Sequence, residues 1–146
     1  MTRESALLAI QYALVYAINH NAHLETSHNC AAYDYVPQEV ALATDPYIQI
    51  GDPTEVPWDF IGTCASSLNY GNRVRVRLHI WSTYRGKKEC DDIITHLKEL
   101  FDDQALTITG FNQVSTRSEF TSVMQDPDML HYHGVLDLVL YVTQAT

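Results

Sequence analysis

Cysteine is scarce in this sequence. The three present, Cys30, Cys64 and Cys90, include no Cys-x-x-Cys pair. An odd count without that spacing excludes a disulfide framework and a zinc ribbon, and it fits a reducing compartment. Basic residues are few as well: 9 lysines and arginines face 18 acidic residues, a net charge of −9. That balance excludes free-standing nucleic-acid binding driven by phosphates. Long apolar runs are missing. The densest, Ala6 to Ile18, is broken only by Gln11 and is too short to cross a bilayer as a helix. Glu4 cancels Arg3 and no small-residue cleavage site follows, so a secretory leader is not expected either.

Several catalytic signatures are absent too. Gly86-Lys87-Lys88 offers a phosphate-like helix start, but Trp81 and Lys88 stand where a P-loop needs a glycine and a Ser or Thr. There is no Gly-x-Ser-x-Gly turn, and none of the cysteines stands in a catalytic motif. Asp91-Asp92 and Asp102-Asp103 bracket a helix and read as a solvated face and a helix end. Nothing in the sequence demands an enzyme.

What remains is the composition of one globular domain over residues 1–146, 46% hydrophobic and 18% charged. Nine tyrosines favour a protein that touches other proteins. Charge is unevenly spread: residues 1–59 carry a net −7, residues 60–88 a net +6, and residues 89–146 a net −8. A basic island between acidic flanks lets one copy attract the next while every copy repels DNA.

Periodicity predicts a buried helix over Ala6–Ile18, with Thr2 as N-cap and Glu4 in the first turn. Residues 19–45 show no period and are expected to form a long loop, with Tyr33 to Pro37 as a short extended piece. Pro46 to Gly51 alternates and reads as a strand, and 52–72 reads as a second long loop anchored by Trp58 and Phe60. Arg73 to Ser82 is the clearest strand. Val74, Val76, Leu78 and Ile80 point to one side, and Arg73, Arg75, Arg77, His79 and Trp81 to the other. A turn at Tyr84-Arg85-Gly86 leads into a second helix, Lys87–Phe101, with Cys90 on its apolar stripe. Leu106–Gly110 is expected as a short strand and turn. Phe111–Met124 and His131–Thr143 follow as longer strands around Asp126-Pro127-Asp128. The predicted fold is α+β: a largely antiparallel or mixed sheet of four to five strands, with two main helices on one face.

His20, His23, His28 and Cys30 are metal-ligand types, but their spacing fits no zinc pattern and one segment gives no second anchor. His131 and His133 share a strand face without a third donor spaced to complete a site. No metal and no cofactor is therefore expected.

The ordered pieces together resemble the tail-terminator, or tail-completion, family of long-tailed phages, prophages and gene transfer agents. They are the apolar N-terminal helix, Pro46 to Gly51, the Trp58 region, Leu78-His79-Ile80-Trp81-Ser82 and Arg85-Gly86-Lys87 opening a helix. Leu106 to Gly110, Asp126-Pro127-Asp128 and His131 to Leu136 complete the set. The stretches 19–44 and 62–72 depart from the family pattern. The resemblance implies a non-enzymatic homohexameric ring in the virion tail or neck, assembled in the host cytoplasm. Such a ring caps the tail tube, stops its polymerisation and meets the head's connector. Its partners would be its own copies, the major tail tube protein and the connector or stopper protein. DNA would pass through the lumen without sequence-specific binding, and no membrane is involved. The residues expected at those contacts are Arg73, Arg75, Arg77, Trp81, Arg85, Trp58, Phe60, Tyr33 and Tyr35. The alternatives are a head-side connector or stopper, or a small ligand-binding or enzymatic domain using the His131/His133 face.

Overall fold

A computed structural model describes residues 4–58 and 71–144. Its elements run α1 (Leu7–Asn19), α2 (Ala22–His28), β1 (Ala31–Tyr33), α3 (Gln38–Ala41), β2 (Tyr47–Ile50) and β3 (Thr54–Pro57). They continue with β4 (Gly71–Ser82), α4 (Lys88–Phe101), β5 (Phe111–Gln125) and β6 (Tyr132–Gln144). The strands form one mixed sheet in the order β1-β2-β4-β6-β5, with β3 also paired to β4. β1 and β2 run parallel and every other pairing is antiparallel. The α+β expectation holds, but the sheet has six strands rather than four or five.

The core lies between one sheet face and the two main helices. Val74, Val76, Leu78 and Ile80 of β4 and Leu136, Leu138, Leu140 and Val142 of β6 meet Ile10, Leu14 and Ile18 of α1. Ile93, Leu97 and Phe101 of α4 close the other side. Each fully buried aliphatic or aromatic side chain is worth about 1.5–3 kcal/mol over exposure, so this one face dominates stability. Acidic Glu89 and Asp91 in the first turn of α4 and Lys98 in its last turn match the helix dipole. Asp102 and Asp103 do more than end that helix. Asp102 accepts hydrogen bonds from Ser118 N–H (3.0 Å) and its hydroxyl (3.1 Å), and Asp103 pairs with Arg117 at 3.2 Å.

β2 and β3 lie along the same edge of β4, β2 opposite Leu78–Trp81 and β3 opposite Asn72–Arg75. Gly51 joins them, its N–H donating to the Arg77 carbonyl at 2.7 Å. A Cβ at Gly51 would stand 2.7 Å from that oxygen, so the close approach requires glycine.

Three expectations change. Residues 19–45 are not one loop: Asn21 caps α2 through its side chain (3.0 Å to Leu24 N–H), and Asn29 ends it at φ 49. β1 and α3 follow in the same segment. Glu4 precedes α1 rather than standing in its first turn, and its N–H donates to Gln144 Oε1 at 2.9 Å. Leu106–Gly110 forms only an isolated bridge, Ile108 to Phe111, instead of a strand. Thr2, Phe60 and most of the second expected loop lie outside the described residues, though β3 occupies part of 52–58.

Candidate partner-binding surface

Among the described residues no core helix covers the sheet's second face, and the β4 alternation delivers its polar side chains there. Register aligns them in rows. Arg73 lies opposite Tyr141, Arg75 opposite Val139, Arg77 opposite Asp137, His79 opposite Val135 and Trp81 opposite His133. On the other flank, Val56 and Thr54 of β3 neighbour Arg73 and Arg75, while Gln49 and Tyr47 of β2 neighbour His79 and Trp81. Tyr33 extends the row of Gln49.

The cations are largely engaged within the chain. Arg77 holds Asp137 bidentately, Nε to Oδ1 at 2.7 Å and Nη2 to Oδ2 at 3.0 Å. The hydrogen bond and then the charge of Asp137 keep the guanidinium above its ordinary pKa. Arg75 Nη2 reaches Glu119 Oε1 at 3.2 Å. Arg75 and Arg77, both expected at partner contacts, thus already hold carboxylates on β5 and β6. Arg73 differs: its Nε is buried and has no hydrogen-bond partner among the described residues.

Beyond the cations the face turns aromatic. His79 Nδ1 and His133 Nε2 lie 2.8 Å apart. Trp81 stacks on His133 with ring centroids at 4.0 Å and planes 2° apart. His131 meets Trp81 edge-on at 6.4 Å. Burial lowers the pKa of both His79 and His133, Arg77 adding to it at His79 and His79 adding to it at His133. At the opposite end Trp58 packs edge-on against Tyr141 at 4.7 Å, its N–H donating to the Gly71 carbonyl at 2.8 Å.

The face thus assembles Arg73, Arg75, Arg77, Trp81, Trp58 and Tyr33, and it adds His79 and His133. Two expected residues lie elsewhere: Arg85 is exposed in the turn before α4, and Tyr35 is 79% exposed beyond β1. Phe60 lies outside the described residues. Glu119, Asp137 and Tyr141 were missed. Asp137 left one trace, as the single charge within the apolar run Gly134–Val142.

Metal-ligand types occur at two further places. His20 stacks on Tyr16 at 3.9 Å, Cys30 is buried, and His23 lies against His96 of α4 at 3.8 Å. His28 joins them, 6.4 Å from His23 and 6.0 Å from His96, so two of the four donors cluster with His96 while His20 and Cys30 lie apart. Asp126, Asp128 and His131 place ligand atoms within 4.8 Å of one another. Asp128 is already employed in the turn: it accepts from Leu130 N–H (2.8 Å), His131 N–H (3.0 Å) and His131 Nδ1 (2.6 Å). Those bonds, the His131 ring first, hold its carboxyl below the usual range. Among the described residues the outer face presents fixed charge and stacked rings, with a depression of about 250 Å³ among Asp52, Thr54, Arg75, Arg77, Glu119 and Asp137.

No curated protein matches the sequence. Among solved structures, a chain from the virion of a native gene transfer agent particle superposes with a TM-score of 0.78 at 15% identity. The alignment covers 95% of this chain and 98% of that one. The family model for the tail completion protein gp17 matches residues 13–143, from within α1 to the end of β6. The chain accordingly belongs to the tail completion protein gp17 family, a family with a structural role in the phage tail.

Proposed function

We propose that this chain is a tail terminator: its copies close a homohexameric ring that caps the tail tube, stops tube polymerisation and meets the head's connector. The observation that carries this reading is the extent of the tail completion match, residues 13–143, which takes in both the core and the outer sheet face. The surface is in keeping with it. A broad sheet face with prearranged ion pairs and stacked rings suits a protein partner. A net charge of −9 suits a lumen through which DNA slides, because an acidic wall does not hold phosphates. The role proposed is structural and non-enzymatic, in line with the tail completion family.

The test is assembly with purified tube protein. Added during tube growth, the chain is expected to bind one tube end, visible as a ring by electron microscopy, and to halt elongation. A particle lacking it is expected to make tails of uncontrolled length that fail to join heads. Normal tail length without it would overturn the reading. Binding to the portal-side protein with no effect on the tube would assign the chain to the head side of the neck instead.

A further inference from the structure

Two apolar features lie at opposite ends of the long β5–β6 ribbon. The first is a groove of about 510 Å³ lined by Ala9, Tyr12, Ala13, Tyr16, Thr107 and Thr109. Tyr12 and Tyr16 remain 63% and 65% exposed, and no residue of α1 carries a charge. The second is the tip of the turn from Gln125 to Tyr132, where Met129 and Leu130 are 70% and 72% exposed.

The tip is built to present those two side chains. Met129 N–H donates to the Asp126 carbonyl at 3.0 Å, and Asp126 N–H to the His131 carbonyl at 2.9 Å. This closes the turn with Met129 at φ 63, a left-handed conformation that glycine or asparagine would adopt at less cost. Three hydrogen bonds, from Leu130 N–H, His131 N–H and the His131 ring, engage the Asp128 carboxylate within the turn. An unfavourable residue for the backbone is thus kept where its side chain protrudes.

One copy cannot fill its own groove. Thr107 and Thr109 precede Phe111, which pairs with Gln144 at the end of the ladder remote from the turn. β5 runs 15 residues, so about 45 Å separates groove from tip at roughly 3.3 Å per residue. A second copy can fill it. We infer that Met129 and Leu130 of one copy seat in the α1 groove of the next. This contact is head to tail, and such contacts close into rings when the rotation permits. Charge favours the same occupant. Copies of net charge −9 repel one another, and a helix without charged residues is the surface that a turn carrying Asp126 and Asp128 approaches with least repulsion. The inference rests on the ring proposed above and names its joint.

Mixed single-cysteine variants test it. Leu130→Cys and Ala13→Cys, each in a Cys64→Ser background, are expected to give a disulfide-linked dimer only when mixed. A chain carrying both substitutions should give a ladder that ends at the ring number. Met129→Gly/Leu130→Ser, which relaxes the turn and so keeps the fold, is expected to raise the concentration for half-assembly about tenfold. Light scattering separates the failures. Multimers that form without the cross-link, and equally well in Met129→Gly/Leu130→Ser, would overturn the joint and leave the ring standing. A single-chain mass at every concentration, alone and with tube protein, would overturn both. Cross-linking of Leu130→Cys to tube protein rather than to Ala13→Cys would give the tip to the tube and overturn the inference.

Discussion

His79 and His133 hydrogen-bond diagonally across β4 and β6, 2.8 Å from Nδ1 to Nε2, although the register sets His79 opposite Val135 and His133 opposite Trp81. Diagonal neighbours on a sheet face lie within reach of long and aromatic side chains. With both rings neutral, one nitrogen donates and the other accepts. A second proton on the pair removes the acceptor and sets two positive charges together.

Stability should therefore depend on pH through these rings. Their folded pKa values lie below the ordinary histidine value of about 6.5. The unfolded chain consequently binds the protons first. Stability is full above about pH 6.5 and falls as pH drops toward the lowered folded values. Asp128, also lowered, loses its contribution only in the acid range below the usual carboxylate pKa. The melting temperature is expected to be lower at about pH 5 than at pH 7.5, with His133→Gln flattening the difference. A wild-type melting temperature unchanged across that interval would refute this.

The Arg77–Asp137 pair is bidentate but partly solvated, with side chains 51% and 24% exposed. Screening by water keeps such a pair weak. A double-mutant cycle of Arg77→Gln and Asp137→Asn is expected to return a small favourable coupling that shrinks in high salt. Replacing Arg73, Arg75 and Arg77 together by Gln should leave the chain folded and weaken assembly, because Glu119 and Asp137 then present uncompensated charge. Normal assembly of that triple variant at physiological salt would leave the arginines as a solvated face.

Gly51→Ala is expected to cost about 1–3 kcal/mol, the range for forcing atoms into occupied space. Its new Cβ would meet a backbone oxygen, Arg77 O at 2.7 Å, between two strands that cannot part without losing pairing. Gly134→Ala should cost less, since its nearest atoms are side-chain carbons of Ile80 and Ile94 at 3.3 Å. Urea denaturation of the two variants gives the order; the reverse order would contradict it.

Much of this was legible where one element carries its own pattern. β4 alternates cleanly over Arg73–Ser82, α4 keeps a helical stripe through Cys90, Ile93, Leu97 and Phe101, and the β5–β6 turn is marked by Asp126-Pro127-Asp128. Residues 19–45 were not legible because their elements borrow their stability. α2 buries only Leu24 and depends on the Asn21 cap, while the three residues of β1 acquire order by pairing with β2. The partners of Arg75 and Arg77 were hidden for a different reason. Glu119 and Asp137 lie 44 and 60 residues further along the chain, and only the register brings them alongside.

Cys30 and Cys90 should be inert to thiol reagents in the native protein. Burial, reinforced by Glu89, pushes their thiols up to about 12 and about 11, so neither forms thiolate at pH 8. Labelling followed by peptide mapping is expected to find both unmodified in buffer and both modified in guanidinium. Rapid native labelling of Cys90 would mean that α4 opens from the sheet.

The central place of β6 orders the folding of the whole chain. β6 lies between β4 and β5, yet it follows both in sequence, and its pairing with β4 joins residues as far apart as Gly71 and Thr143. The β5–β6 hairpin can form locally in microseconds, whereas docking it against β4 must close a much longer loop. During synthesis β4 and both main helices therefore leave the ribosome before the strand that completes their sheet. Until β6 arrives, one edge of β4 remains unpaired and the apolar side chains of Val74, Val76, Leu78 and Ile80 stay incompletely covered. Folding of this domain accordingly waits on β6, and its interval of greatest aggregation risk precedes the emergence of that strand.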